Sequence, residues 1–177
     1  VYESKALEIY KKENNIEYIG RSNLFIGKMY FYKNDFKAGE KHIMEAEKYL
    51  NQTNNNDKRA ETYYFQATLN SINKKNKLAN DYCNQILELY AQKKTKEKRY
   101  VLMAYERLFQ NNLLQENAVE GFKTLNTYIN FIKDNFPEYL FNAYFMGGTF
   151  NSNNKDYKKA LEYYKKALDA ATNTKKG

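Results

Sequence analysis

Apolar residues recur along this chain at three- and four-residue intervals, and short polar stretches separate the segments that carry them. In the segment 156–168 one helical face consists of tyrosine, alanine and leucine, whereas the opposite face carries lysines and acidic residues. The residues of the apolar face are Ala160, Leu161, Tyr164, Ala167 and Leu168. Such a face needs a neighbouring helix to cover it, and small alanines allow that helix to come close. The pattern therefore predicts an α-helix that packs on the helix before it.

The same pattern occurs at a nearly regular interval along the chain. Small residues lie inside amphipathic segments at positions separated by 33, 40, 39 and 42 residues: Ala6, Gly39, Ala79, Ala118 and Ala160. An aromatic-rich helical segment precedes each of the last four, and the polar breaks between segments are short. A period in this range is typical of helical repeat proteins. We therefore predict a single domain, 1–177, with a lone helix at 1–14 and helix pairs at 15–53, 57–93, 95–135 and 137–172.

Two of these helix pairs carry motifs that resemble the tetratricopeptide repeat. In the first pair, Ile26-Gly27-x-x-Tyr30 is followed by Gly39-x3-Ile43-x2-Ala46. In the last pair, Met146-Gly147-x-x-Phe150 is followed by Ala160-x3-Tyr164-x2-Ala167. The resemblance implies an all-α fold, in which antiparallel helix pairs stack into a right-handed superhelical solenoid.

The two central pairs match this family less well. The second pair keeps Ala67 and Ala79, but Asn70 replaces the aromatic residue. In the third pair Ala104 and Ala118 lie 14 residues apart, against 12 for Gly27 and Gly39. Periods near 40 residues also suit HEAT-like repeats. The spacing of small and aromatic residues within each pair favours the tetratricopeptide-like alternative.

The formal charge of +8 raises the question of nucleic-acid binding. Of the 29 basic residues only four are arginine, at positions 21, 59, 99 and 107, and the lysines are spread along the chain. Arginine is the residue that reads phosphates and bases through paired hydrogen bonds, whereas dispersed lysines are typical of a solvated surface. We therefore keep a nucleic-acid-associated repeat protein as the alternative hypothesis, behind a protein-binding module.

Residues that usually carry catalysis or bind metals are scarce. His42 lies among charged residues and is expected at a solvated helix position, and Cys83 is expected to be a small core residue. The glycines of 146–150 lie inside a helical segment, so we interpret them as tight helix packing rather than a phosphate loop. Four further carboxylates are interpreted as ordinary surface charges: Glu116, Glu120, Asp134 and Glu138. We predict no enzyme activity, no metal and no cofactor; an enzyme would need a site that the sequence does not show.

Function is therefore expected to reside in a binding surface. In the tetratricopeptide family the first helix of each pair lines a concave groove that usually binds a peptide or protein segment. Helical spacing predicts the following groove residues: Arg21, Leu24, Lys28, Tyr32, Tyr64, Thr68, Ser71, Tyr105 and Tyr144. Tyrosines with interspersed cations suit a peptide or protein segment that is acidic or has a free carboxylate.

The remaining expectations concern the context of the chain. No run approaches 18 apolar residues and no signal peptide is visible, which favours a cytoplasmic protein without a membrane span. Because the sequence begins at Val1, removal of a leader stays open. We also predict that the chain is part of a longer signalling or transcription-regulatory protein. Incompletely covered terminal helices at 2–12 and 156–168 would otherwise be covered by a second copy in a homodimer.

Overall fold

The computed structural model describes residues 2–114 and 118–173, and all regular structure within these ranges is helical. This confirms the predicted all-α class. A 3₁₀ turn at Pro137–Tyr139 precedes the eighth α-helix. The α-helices are α1 Tyr2–Lys12, α2 Ile16–Tyr32, α3 Phe36–Leu50, α4 Asn56–Ile72, α5 Asn76–Ala91, α6 Lys98–Leu114, α7 Ala118–Asn135, α8 Leu140–Asn153 and α9 Tyr157–Asn173. None of the described helices is long and apolar enough to cross a membrane.

Short turns with a common geometry separate the paired helices. The residues at the end of three turns accept a hydrogen bond from the backbone N–H three positions later: Asn15 at 3.3 Å, Asp35 at 3.1 Å and Asp156 at 3.1 Å. The residue before each cap has a positive φ: Asn14 at 53°, Asn34 at 59° and Lys155 at 62°. A left-handed residue followed by a side-chain cap reverses the chain within a few residues, so consecutive helices pack antiparallel.

The described helices belong to two compact units, Val1–Ala104 and Tyr105–Gly177, and the division falls within α6. In the first unit α2 and α3 form the tightest pair. A Cβ atom at Gly27 would lie 2.6 Å from Ile43 Cδ1, and one at Gly39 would lie 2.9 Å from Phe31 Cδ2. No side chain fits at either position without displacing its neighbour, which explains why the pair uses glycine at both motif positions.

The core of the first unit continues from this pair into the next. An apolar cluster of this core contains Leu24, Phe31, Ile43, Ala46, Leu50, Phe65 and Leu69, from α2, α3 and α4. In the α4–α5 pair Ala67, Ala79 and Cys83 are fully buried, which confirms Cys83 as a core residue. Stacking of α4 against the first pair thus buries faces that either pair alone would expose.

In the second unit α8 and α9 repeat the close contact of the first pair. A Cβ atom at Gly147 would lie 2.5 Å from the Tyr163 ring, and one at Gly148 would lie 2.4 Å from the Tyr164 ring. The glycines of 146–150 therefore serve tight helix packing, as predicted. Ala160 and Ala167 are buried, but Leu161 and Leu168 are 56% and 64% exposed. The predicted apolar face of α9 is thus buried only on its alanine side.

The third pair requires a correction. We expected Ala118 to be its small packing residue, but Ala118 is exposed as the first residue of α7. Gly121, one turn later, is buried instead. Its nearest neighbour, Phe150, would lie 3.5 Å from an added Cβ, which is ordinary van der Waals contact. The small packing position of α7 therefore lies one turn inside the helix rather than at its first residue.

Candidate functional site

Two cavities lie side by side on the first unit, along the first helices of its pairs. The smaller has a volume of about 260 Å³ and is lined by Glu3, Tyr10, Tyr18, Arg21, Ser22, Leu24, Phe25, Lys28, Lys58 and Glu61. The larger has about 340 Å³ and is lined by Lys28, Phe31, Tyr32, Tyr64, Phe65, Thr68, Arg99, Tyr100 and Met103. Lys28 lines both cavities, so they adjoin, and we call the two together the α2–α4 groove.

A buried carboxylate lies at the middle of this groove. Glu61 of α4 is almost fully buried, and Lys58, one turn earlier, donates a hydrogen bond from Nζ to its Oε2 at 2.6 Å. Lys28 of α2 donates to the other oxygen, Oε1. Burial raises the pKa of Glu61, but the two lysines outweigh this effect and hold it below its usual value. The carboxylate is therefore charged at neutral pH and is shared by two ammonium groups.

Tyr100 joins this cluster from α6. Burial raises the pKa of its hydroxyl, and so does the hydrogen bond that it donates to the Glu61 carboxylate. The cluster of Lys28, Lys58, Glu61 and Tyr100 thus ties together α2, α4 and α6, which are the first helices of three successive pairs. Through these contacts the groove side chains are held in place before any ligand arrives.

Aromatic rings form the wall of the larger cavity. The Tyr64 ring lies 5.5 Å from Phe65 and 5.8 Å from Tyr100, and Phe65 in turn lies 5.0 Å from Phe31. Tyr32 stands at the edge and is 71% exposed. Such a wall offers apolar area for a side chain of a ligand, together with tyrosine hydroxyls that can form hydrogen bonds.

The smaller cavity combines aromatic rings with charges of both signs. Tyr10 of α1 packs on Tyr18 at 4.9 Å, and the Arg21 guanidinium lies 5.0 Å above the Tyr18 ring. Arg21 also approaches the Glu17 carboxylate at 3.9 Å. Helix α1 therefore contributes part of a cavity wall in addition to covering α2.

The structure brings five of the nine predicted groove residues together around the two cavities as surface side chains: Arg21, Lys28, Tyr32, Tyr64 and Thr68. Leu24 also lines the smaller cavity, but it is only 2% exposed and belongs to the apolar core, so we correct its predicted position from a surface side chain to the floor of the groove. Ser71 lies further along α4, is half-buried and lines neither cavity. Helical spacing predicted that Ser71 lies in the groove, but Ser71 is one turn of α4 beyond Thr68, the last residue of α4 that lines it.

The last two predicted residues belong to the second unit. There the Tyr105 ring contacts Phe131 at a distance of 5.5 Å, and the Tyr144 ring lies 6.4 Å from Tyr163. Both tyrosines are half-buried, so their rings contribute to helix packing within that unit. Their role in binding stays a prediction.

The sequence analysis missed several groove residues, among them Lys58, Glu61, Arg99 and Tyr100. A signal for Glu61 was present, because it precedes the predicted Tyr64 by three residues and Thr68 by seven, which places all three on one helical face. Arg99 and Tyr100 lie in the first turn of α6. Because the third pair matches the repeat motif poorly, the sequence did not indicate which residues of α6 face the groove.

His42 lies closer to the core than the sequence suggested. Its Nδ1 is 2.9 Å from Asn23 Oδ1, and its ring stacks on Tyr30 at 5.7 Å. Burial, followed by the nearby positive charge of Lys41, lowers the pKa of the imidazole. We expected a solvated position and correct this to a half-buried one between α2 and α3. The packing of α3 on α2 brings His42 onto the Asn23 amide.

The carboxylates interpreted as surface charges behave as predicted where the structure describes them. Glu120 lies 3.7 Å from Lys123, and Asp134 and Glu138 are exposed. Glu116 lies outside the described residues. Within the described ranges, no three histidine, cysteine or acidic residues come together as a metal site would require.

Comparisons with known proteins bear on the fold. No protein family and no curated protein matches this sequence. Among solved structures, the crystal structure of aspartyl phosphate phosphatase F from Bacillus subtilis is similar, with a TM-score of 0.76 and 18% sequence identity. The similarity covers 96% of this chain and 45% of that chain, so this chain spans less than half the length of that protein. It shows that the chain has the helical repeat fold of the matched part.

Proposed function

We propose that this chain is a non-enzymatic module that binds a peptide or protein segment in the α2–α4 groove. The observation that carries the proposal is the groove itself, in which an aromatic wall and a net positive charge lie next to each other on helices held together by Glu61. A helical repeat fold presents such a surface on successive first helices. The groove suits an extended segment that inserts one large side chain beside Tyr64 and Tyr100.

The charge of the groove indicates the chemistry of the partner. Its lining carries four cations, from Arg21, Lys28, Lys58 and Arg99, against two carboxylates, from Glu3 and Glu61. Arg99 is exposed and has no carboxylate within ion-pair distance in the described part of the chain. The partner segment is therefore acidic or has a free carboxylate, because an anionic group would balance this excess.

A binding module of this kind serves as the interaction part of a larger signalling or regulatory protein, and the cytoplasm is the compartment that we propose. The similar Bacillus subtilis protein is described as a phosphatase of aspartyl phosphate, and this chain spans only part of its length. Terminal helix faces, including Leu161 and Leu168 of α9, offer a contact for a homodimer.

The test is a selection of random heptapeptides on the immobilised 177-residue protein, followed by measurement of affinity by fluorescence anisotropy. Lys28→Glu and Tyr64→Ala should each lower the affinity for the recovered peptides at least about tenfold, the equivalent of about 1.4 kcal/mol of binding free energy. Matched variants outside the groove, Lys77→Glu on α5 and Tyr49→Ala on α3, should leave affinity unchanged.

Circular dichroism would establish that all four variants keep their helicity. Equal affinity of the groove variants and the matched variants would place the peptide site elsewhere. Recovery of no peptide, together with salt-sensitive binding to nucleic acids of any sequence, would favour the nucleic-acid alternative.

A further inference from the structure

The Glu61 cluster has an unbalanced charge. Its two ammonium groups, from Lys28 and Lys58, share a single carboxylate, so the cluster carries one net positive charge in a poorly solvated part of the groove. Neutral tyrosine hydroxyls, including that of Tyr100, do not alter this balance. A half-buried excess charge is costly unless a counter-charge reaches it.

Both lysines remain accessible from the groove. The Lys28 side chain is 24% exposed and that of Lys58 is 38% exposed, whereas the Glu61 side chain between them is 4% exposed. Each ammonium group has three donors, and one donor of each is used by Glu61. Both lysines line the smaller cavity, and Lys28 also lines the larger one, so each ammonium group can be reached from the groove.

We propose that Lys28 and Lys58 form a subsite for one carboxylate group of the bound segment, and that Glu61 makes this subsite selective for single negative charges. The inference rests on the proposed function and specifies its ligand. One added carboxylate brings the cluster to two positive and two negative charges. A dianion, such as a phosphate monoester, would exceed that balance and would be repelled by Glu61. The subsite is thus suited to an acidic side chain or a chain terminus, and disfavours a phosphorylated residue.

The position of the subsite beside the aromatic wall also indicates which chemical group should adjoin the carboxylate of the ligand. Lys28 lines both cavities, and the rings of Tyr64 and Tyr100 begin beside it. A ligand that places a carboxylate on Lys28 can therefore place an adjoining aromatic or large aliphatic side chain against these rings. We infer that the recognised unit is a carboxylate next to a large apolar side chain.

Small probes test the subsite without knowledge of the natural partner. N-acetyltyrosine supplies one carboxylate and one ring, N-acetyltyrosinamide lacks the charge, and phenyl phosphate supplies a ring with a dianion at pH 8. Each would be titrated into the full chain at low ionic strength. Binding would be followed by the NMR signals of the lysine ε-methylene groups. The signals of Lys28 and Lys58 are identified as those that disappear in Lys28→Met and Lys58→Met.

In the unsubstituted protein, N-acetyltyrosine should shift the Lys28 and Lys58 signals saturably, while the amide and phenyl phosphate should bind at least about fivefold more weakly. Glu61→Gln should reverse the order of the two anions, because two uncompensated ammonium groups prefer a dianion. Lys58→Met should abolish saturable binding, whereas the matched variant Lys77→Met should not. Because Lys58 is partly exposed, its variant remains informative if Glu61→Gln does not fold.

Three results would overturn the proposal: equal shifts at Lys41 and Lys77, equal affinity of the acid and the amide, or an unchanged anion order in a folded Glu61→Gln. Failure of the subsite and failure of the proposed function can be told apart. If heptapeptides bind the groove but their affinity does not depend on a carboxylate, only the subsite is wrong. If N-acetyltyrosine binds at Lys28 and no heptapeptide binds the groove, only the proposed function is wrong.

Discussion

The α2–α3 pair of the first unit and the α7–α8 region of the second unit both place a glycine in a helix interface, yet the two glycines differ. A Cβ atom at Gly27 would lie 2.6 Å from Ile43, whereas at Gly121 the nearest atom, in Phe150, would be 3.5 Å away. The first interface excludes any side chain, and the second would accept a methyl group. A glycine between helices therefore marks close packing only where a neighbouring side chain already fills the space that its Cβ would take, as Ile43 does at Gly27.

The largest effect is expected where this contact is tightest. Gly27→Leu should destabilise the protein by about 1–3 kcal/mol or more, because the new side chain must displace Ile43 from a fully buried position. Thermal and urea unfolding followed by circular dichroism would measure the loss. Lys77→Leu, an exposed substitution on α5, serves as the control. Unfolding midpoints that agree for both variants would mean that α2 and α3 are further apart than described.

A smaller loss is expected in the last pair. Ala160 is buried against the preceding helix, so Ala160→Leu should cost about 1–2 kcal/mol through overpacking. The exposed neighbour Leu161 offers a matched control, since Leu161→Ala changes volume on the same helix without disturbing a buried contact. If Leu161→Ala proved the more destabilising of the two, the buried side of α9 would be the leucine side.

The smallest effect, of opposite sign, is expected at Gly121. Gly121→Ala should stabilise the protein by about 0.5 kcal/mol, because alanine restricts the unfolded chain and its methyl group meets only ordinary contacts. Equilibrium unfolding with urea can resolve this difference when several replicate curves are fitted together. A loss of stability comparable to that of Gly27→Leu would remove the contrast between the two interfaces.

The groove shows a second contrast, between residues that helical spacing in the sequence predicts and residues that only the packing of several helices brings into the groove. Lys28, Tyr32 and Tyr64 were predicted from helical spacing because they follow the face opposite to the core. Glu61 lies on the same face of α4 as Tyr64 but was missed, because a carboxylate among aromatics has no recognisable role until Lys28 and Lys58 are brought to it. Leu24 was misplaced for the converse reason, since an apolar side chain at a groove position is drawn into the core beneath.

By itself, the sequence determined the all-α class, the pairing of helices and the tight contacts at Gly27, Gly39 and the glycines of 146–150. These features follow from local periodicity and from small residues at fixed spacing, which act over one or two helices. Only the tertiary structure decided that Gly121 rather than Ala118 packs in the third pair, and that His42 is half-buried beside Asn23. It also decided that Lys28, Lys58, Glu61 and Tyr100 meet. Contacts between side chains from three different helices depend on rotations and axial shifts of whole helices, which the pattern along one helix does not specify.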